Sequence, residues 1–200
     1  MQAHSARNRT QRARTSEGSM PDRRLAKTRN ALAQAMFQLM QEKDWDAIAV
    51  RDICDAADVA RSSFYAHFDS KVALLDHMIA GALATAQVQR KSGNEPLALL
   101  VWVIDHVTEN RGLFQRASRK GGAQTVMMRF KAALLEELTE NLRMAGIASP
   151  SLRAAFLLGG TFDALLGWSK SWSLAKLPAL KSGILAAANG ALAGIAVPKV

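Results

Sequence analysis

Apolar residues recur at three- and four-residue steps along most of this chain, which is the spacing of one buried face on an α-helix. The first of these segments opens at Pro21, which suits the first turn of a helix because its missing N–H needs no partner there. Its apolar face runs to about Glu42 and consists of Leu25, Leu32, Met36, Leu39 and Met40. A polar break over residues 43–47 follows, and we expect its lone Trp45 to fill a gap between helices.

Two short helices and then a longer one are predicted after this break. The apolar side of the first short helix consists of Val50, Ile53, Cys54 and Ala57. The second is anchored by Val59, Phe64 and Phe68. The longer helix has Ser70 as a plausible N-cap and loses its apolar face near residues 87–94, where we expect a loop.

The rest of the chain also follows a helical pattern. The predicted segments cover residues 95–109, 111–118, 123–145, 152–172 and 180–195, with breaks at 120–122, 148–151 and Pro178. We find no convincing strand and no internal repeat. The sequence therefore predicts an all-α protein, with an N-terminal arm over residues 1–20, a three-helix unit over 21–70 and a larger helical region over 71–200.

The distribution of charge favours an anionic partner. The net charge is +9 and the sequence pI is about 10.2. Residues 1–30 contain eight Lys or Arg against two acidic residues, whereas residues 31–75 contain four against seven. The basic charge near the short helices therefore lies in the arm before them, as in basic N-terminal arms that bind nucleic-acid phosphates. This arm has little to bury and is expected to be disordered in isolation.

Several classes of protein are disfavoured. The single Cys54 allows no intrachain disulfide, so a reducing compartment is the default. The N-terminus has no apolar segment, and the longest apolar run, 183–197, is shorter than the ~20 residues of a membrane span. The four histidines are scattered, and no metal-ligand spacing or glycine-rich phosphate loop is present. We therefore expect a soluble cytoplasmic protein that is not an enzyme and has no metal or cofactor.

The most informative stretch is residues 50–71, VRDICDAADVARSSFYAHFDSK. It has short polar and basic side chains at the entrance of its second helix, namely Arg61, Ser62 and Ser63. Such side chains suit the major groove of DNA, which admits one α-helix, and a helix pair joined by a tight turn is a usual way to present that helix. The alternative is two packed helices with a solvated polar face, since short helix pairs are common.

The span Arg24–Leu75 resembles the DNA-binding domain of TetR-family transcriptional repressors. The motifs that carry the resemblance are Asp46-Ala47-Ile48, Val50-Arg51-Asp52-Ile53, Ala56-Ala57-Asp58-Val59, Ser63-Phe64-Tyr65-Ala66-His67-Phe68, Ser70-Lys71, Leu74 and Leu75. The segment Pro96–Gly122 also looks like a C-terminal type that is common in that family.

The resemblance implies a reading helix near Arg61–His67 in the major groove, with Tyr65, Lys71 and Thr28 on phosphates. Arg61 at the start of this helix can pair bidentately with guanine, which is worth ~1–3 kcal/mol of discrimination. The full predicted DNA-contacting set is Thr28, Arg51, Arg61, Ser62, Ser63, Tyr65, His67 and Lys71.

Two positions depart from the family pattern. Asp58 occupies the turn position that Gly often fills, and Asp tolerates a left-handed conformation only moderately well. Ala60 replaces the usual Ser or Thr cap of the reading helix, and the loss of such a cap typically costs ~1 kcal/mol. We therefore expect the reading helix to be held less rigidly than is usual.

The resemblance also implies a C-terminal region that dimerises and usually binds a small effector. Glycine inside a helix costs ~1 kcal/mol relative to Ala, so several glycines suggest close approach of another helix, from a partner subunit or from the same chain. The predicted interface contains Gly159, Gly160, Asp163, Gly167, Leu185 and Asn189. The predicted effector pocket contains Trp102, Met127, Phe130, Phe162 and Trp168, each of which is otherwise an ordinary core residue.

These observations favour a homodimeric TetR-like repressor. It would bind a palindromic double-stranded DNA operator, with half-sites about one helical turn or a multiple of it apart, and a small apolar effector would release it. The alternative is an effector-independent architectural protein that uses the basic arm to bind DNA without sequence preference.

Overall fold

The helical pattern of the sequence is reproduced throughout the computed structural model, which describes residues 20–90, 96–117, 123–169, 171 and 173–193. Within these ranges all regular structure is helical and no strand occurs. The predicted all-α class, with an N-terminal helix-turn-helix unit and a larger C-terminal helical region, is confirmed. Residues 1–19 of the predicted arm and the predicted break at 120–122 lie outside the described residues.

The described residues form helices with the following bounds: α1 Met20–Glu42, α2 Val50–Ala57, α3 Arg61–Tyr65, α4 Lys71–Arg90, α5 Ala98–Glu109, α6 Arg111–Ala117, α7 Ala123–Met144, α8 Pro150–Ser169 and α9 Leu177–Ala193. Short 3-10 turns cover Trp45–Ala47 and Leu174–Lys176.

The N-terminal unit forms because each helix buries one apolar stripe against the same centre. Leu32 and Met36 of α1, Ile53 of α2 and Phe64 of α3 are all fully buried. Trp45, in the connection between α1 and α2, is also buried. α1, α2 and α3 therefore form one small core that faces the start of α4.

Three boundaries predicted from the sequence are wrong, each for a simple physical reason. α4 does not end near residue 87 but continues to Arg90, because its polar end still meets α7, where Gln87 Nε2 donates to a Glu137 carboxylate oxygen at 2.8 Å. Pro150 was predicted to lie in a turn but begins α8, and Pro178 was predicted to separate two helices but lies in the first turn of α9. Proline fits the first turn of a helix, where its missing N–H has no intrahelical partner.

α4 joins the N-terminal unit to the rest of the chain. The backbone N–H of Ala73 donates to Ser70 Oγ at 3.2 Å, so Ser70 caps α4 as the sequence predicted. Farther along, Arg129 Nη1 donates to both carboxylate oxygens of Asp76 at 2.8 and 2.6 Å, which ties α7 to α4. Because the buried core extends across both regions, the predicted division at residue 70 stays a prediction.

The C-terminal helices are held by apolar packing with two polar ties. Lys181 Nζ of α9 lies 2.7 and 2.8 Å from the two carboxylate oxygens of Asp105 in α5. Arg153 Nη1 of α8 donates to the backbone oxygens of Ala191 and Leu192 at 2.6 and 3.2 Å, at the end of α9, where carbonyls lack helical partners. No helix in the described ranges has the length and apolar character that crossing a membrane requires.

Candidate nucleic-acid interface

The turn between α2 and α3 is built on a left-handed residue. Asp58 has φ 52° and ψ 48°, and the N–H of the following Val59 donates to the Cys54 carbonyl at 3.0 Å. This bond satisfies a carbonyl at the end of α2, as in the usual left-handed termination of helices. Asp58 therefore occupies the turn position that the sequence assigned to it, with the modest strain of a side chain in this conformation.

The short helix α3 lacks a side-chain cap. Ala60 has the extended backbone of an N-cap residue, with φ −62° and ψ 143°, and its carbonyl accepts from the N–H groups of Ser63 and Phe64 at 2.9 and 3.1 Å. No side chain satisfies the first N–H groups. α3 is held instead by Phe64, which is fully buried and lies 5.9 Å, centroid to centroid, from the ring of Phe68.

Half of the predicted DNA-contacting residues are exposed. Arg51, Arg61, Ser62 and Tyr65 are exposed, whereas Thr28, Ser63, His67 and Lys71 are half-buried. Tyr65 is 50% exposed and packs edge-on against Phe64 with 5.4 Å between the ring centroids, so its hydroxyl end stays accessible while its base is fixed.

Two members of this set have local partners on their own helices. The Thr28 hydroxyl donates to the Arg24 carbonyl at 3.1 Å in α1, and Arg51 Nε lies 3.5 Å from an Asp55 carboxylate oxygen in α2. The Arg51 and Asp55 side chains are both mostly exposed, and exposed pairs of this kind contribute little. The pair with Asp55 therefore leaves Arg51 available to a phosphate.

Lys71 is placed in a way that the sequence did not predict. Its Nζ donates to the backbone oxygens of Trp45 and Ile48 at 2.7 and 2.8 Å, and it lies 4.6 Å from the centroid of the Trp45 ring. Burial lowers the pKa of this ammonium group, and the nearby carboxylate of Asp46 opposes that shift. The partners precede Lys71 by 26 and 23 residues, so no local pattern could have revealed them.

Comparison with known proteins identifies this unit. Residues 32–78 match the profile of "Bacterial regulatory proteins, tetR family". A 59-residue segment is 39% identical to the uncharacterized HTH-type transcriptional regulator YxbF of Bacillus subtilis (strain 168), covering 29% of this chain and 16% of that relative. The N-terminal unit is a TetR-family DNA-binding domain.

The fold of the described residues resembles that of solved TetR-family regulators along most of their length. A TetR transcriptional regulator from Streptococcus agalactiae 2603V superposes with a TM-score of 0.62 at 24% identity, covering 84% of this chain and 97% of that one. The TetR-family repressor FadR from Thermus thermophilus, solved with lauroyl-CoA, gives 0.54 at 16% identity, covering 86% and 98%. The resemblance that the sequence predicted is therefore confirmed, and the family consists of transcriptional regulators, not enzymes.

An apolar pocket of about 150 Å³ lies between α1, α4, α5, α6 and α7. Of the predicted effector residues, Met127 and Phe130 line it. Trp102 and Phe162 do not, but each ring lies 6.4 Å from that of Phe130. Trp168 is not part of the lining, and its indole N–H donates to the Ser173 carbonyl at 2.9 Å. The full lining is Phe37, Met40, Leu75, Met78, Ile79, Ala82, His106, Leu113, Phe114, Val126, Met127 and Phe130.

His106 is the one polar side chain that the described residues contribute to the pocket lining, and it is among the lining residues that the sequence did not predict. Its ring stacks on Trp102 at 4.6 Å and lies 5.6 Å from that of Phe130, and its Nδ1 is 3.4 Å from the Asn110 amide nitrogen. Burial lowers the pKa of this imidazole, with Glu109 opposing the shift, so the ring is neutral near pH 7. The sequence showed only a histidine on an apolar helix. Its contact with Trp102, four residues earlier, is local to α5, whereas its contact with Phe130 exists only after α5 packs on α7.

The predicted interface residues lie on an open face of α8 and α9. Gly159, Gly160 and Gly167 are exposed, and an added Cβ at any of them would meet nothing within 4 Å. Asp163 and Asn189 are also exposed, and Leu185 is half-buried. Close approach of another helix within the described ranges therefore does not account for the three glycines of α8.

The uncapped start of α3 leads to a first prediction. Ala60 already has the extended backbone of an N-cap residue, so Ala60→Ser should add a side-chain acceptor for the N–H groups of α3 and raise the free energy of unfolding by ~0.5–2 kcal/mol. Urea denaturation measures this change. Ala56→Ser, at an exposed interior position of α2, is the matched control and should lower stability by up to ~0.5 kcal/mol. A loss of stability in Ala60→Ser would show that α3 is not capped at this position.

Proposed function

We propose that this protein is a transcriptional repressor that binds a palindromic DNA operator as a homodimer and releases it when a small apolar molecule binds. The observation that carries the proposal is a TetR-type reading helix whose buried side presents Phe64 and whose exposed residues include Arg61, Ser62 and Tyr65. A regulator of this kind acts on the chromosome, so we place it in the cytoplasm.

The proposed contacts divide into base-reading and phosphate-holding groups. Arg61 and Ser62 lie in the first turn of α3, where side chains reach base edges, and Ser63 and His67 lie at the edge of the same surface. Tyr65, Thr28 and Arg51 can hold phosphates on either side of the groove. Because exposed acidic residues flank α3 in sequence at Asp58 and Asp69, these few groups and the basic residues of positions 1–30 must supply the attraction to DNA.

The open face of α8 and α9 supports the proposed homodimer. Phe156, Leu152 and Leu166 of α8 are 69%, 72% and 53% exposed, beside the glycines at which an added Cβ would meet nothing within 4 Å. A second copy of this face would cover these side chains and let the backbones approach closely at the glycines. A two-fold dimer of this kind presents two reading helices to half-sites about one turn of DNA apart or a multiple of it.

The pocket supports a small and uncharged effector. None of its lining residues is a Lys, Arg, Asp or Glu, and a charged ligand would lose hydration there without gaining an oppositely charged partner. An apolar cavity of about 150 Å³ is of a size that accommodates a molecule like benzene. The lauroyl-CoA in the Thermus thermophilus FadR is a far larger and charged ligand, so we infer a different effector class here.

The reading role of α3 can be tested with DNA selected from a random library by the wild-type protein. We expect the selected duplex to bind at least ~10³-fold more tightly than a random duplex at the same salt concentration. Arg61→Ala should change the selected sequence, because it removes a base contact, whereas Tyr65→Ala should weaken binding to all duplexes alike. A wild-type ratio near one would instead favour the architectural protein that binds through its basic arm without sequence preference.

The dimer can be tested by sedimentation equilibrium of the full chain. We expect the wild type to be a dimer at micromolar concentration and Phe156→Glu to be a monomer, because the substitution places a charge in the proposed interface. Met144→Glu is the matched control, since Met144 is also 69% exposed but lies on α7 outside this face, and it should remain a dimer. A monomeric wild type, or a dimer that persists in Phe156→Glu, contradicts the proposed interface.

The pocket can be tested with toluene as a probe. Toluene at saturation should raise the Tm of the wild type, because it binds only the folded state, and should weaken binding to the selected duplex. Met127→Trp should abolish both effects by filling the pocket, whereas the neighbouring Met128→Trp, at a position that is 62% exposed, should retain them. An unchanged Tm in the wild type, or an equal response in both variants, would refute the effector site.

A further inference from the structure

Lys71 lies where two parts of the DNA-binding domain meet. It is the first residue of α4, and its ammonium group reaches the connection between α1 and α2, where it bonds the backbone oxygens of Trp45 and Ile48. The distances of 2.7 and 2.8 Å are short, as expected for hydrogen bonds from a charged donor. The ammonium group thereby uses two of its three N–H donors inside the protein.

The surroundings hold the ammonium group of Lys71 in this position. The side chain is half-buried, and its Nζ lies 4.6 Å from the centroid of the Trp45 ring, which attracts a cation through its face. The Trp45 ring is itself buried and cannot follow a moving ammonium group. To turn all three N–H donors toward a phosphate, Lys71 would have to give up two charge-assisted hydrogen bonds and its contact with the Trp45 ring.

These contacts close the helix-turn-helix into a loop. Ile48 precedes α2, Lys71 follows α3, and the bond between them joins residues 23 positions apart. A contact between the two ends of such a loop reduces the conformational freedom of the residues between them. The reading helix α3 gains most from this closure, because it has five residues and no side-chain cap.

Together these observations concern the DNA-binding role proposed above, on which the inference rests. We infer that Lys71 is a positioning residue: it clasps α4 to the connection between α1 and α2, and so holds the reading helix in the orientation that selects a DNA sequence. It contributes to binding through the geometry of α3 and not through a bond to phosphate. The phosphate role that the family resemblance implies for this lysine is therefore replaced by an internal one.

The test compares the wild type with Lys71→Met, which keeps the length of the stem but removes the charge and the donors. We expect Lys71→Met to bind the selected duplex about tenfold more weakly, to bind a random duplex almost normally, and to keep the slope of log K against log salt concentration. A phosphate contact predicts the opposite: both affinities fall alike, and the slope of a dimer falls by about 1.8 for two lost contacts.

Lys43→Met is the matched control for charge. Lys43 also lies near this connection, but its Nζ is 3.8 Å from an Asp52 carboxylate oxygen and its side chain is 44% exposed. We expect it to retain the preference for the selected duplex. An equal loss of preference for the selected duplex in Lys43→Met and Lys71→Met would refute the positioning role of Lys71, because a general loss of local charge would then explain both results. A wild type without sequence preference would refute the proposed function instead, and would leave the salt slope to decide the role of Lys71.

A second measurement does not depend on the folding of a Lys71 variant. The chain has four tryptophans, so protein labelled with 5-fluorotryptophan gives four fluorine resonances, and Trp45→Phe assigns one of them to Trp45. We expect the Trp45 resonance of the wild type to stay in place when a random duplex is added, because the ammonium group remains over the ring. A shift confined to Trp45 would mean that Lys71 leaves the ring for the DNA, and would overturn the inference. In folded Lys71→Met without DNA, the same resonance should move, whereas in Lys43→Met it should not.

Discussion

The position of the reading helix depends on the burial of one aromatic ring. α3 has five residues, and isolated helices shorter than ~12 residues are marginal in water, so its own hydrogen bonds cannot keep it in place. Its N-cap position holds an alanine and the preceding turn is left-handed at Asp58. Phe64 provides the missing constraint, because it is fully buried and packs beside Phe68. Burying one such ring stabilises by roughly 1.5–3 kcal/mol, and it orients every exposed side chain on the opposite face of α3.

α4 relates this surface to the rest of the molecule. Its first residue, Lys71, contacts the connection between α1 and α2, and its next turns place Leu75, Met78 and Ile79 in the wall of the apolar pocket. Phe37 and Met40 of α1 form another part of that wall. A molecule in the pocket would therefore touch the two helices on which the DNA-binding domain is built. Packed rigid helices of this kind can carry a displacement from one site to another.

The helical fold could be predicted from the sequence because burial imposes a regular spacing. The apolar steps through Leu32, Met36 and Met40 define the face of α1, and Ser70 was correctly expected to cap α4. Errors occurred where one residue type has two uses. Pro150 and Pro178 were predicted to interrupt helices, but Pro150 begins α8 and Pro178 lies in the first turn of α9. Proline has both uses, because it ends one helix and also suits the first turn of the next. The end of α4 was placed too early because Gln87 has its partner, Glu137, on α7 and 50 residues away, where no local window contains it.

By itself, the sequence determined the helical class and the family of the DNA-binding domain, because both depend on patterns between residues that are close in sequence. The helical class follows from apolar residues at helical steps, and the family follows from a run of motifs around Arg61 and Tyr65. Only the tertiary structure decided what the remaining polar groups do. Lys71 meets Trp45 and Ile48, and His106 meets the ring of Phe130, through contacts made after distant segments pack. Hydrogen bonds and ring contacts act over a few ångströms, so their partners are set by the path of the folded chain, and a one-dimensional pattern does not contain that path.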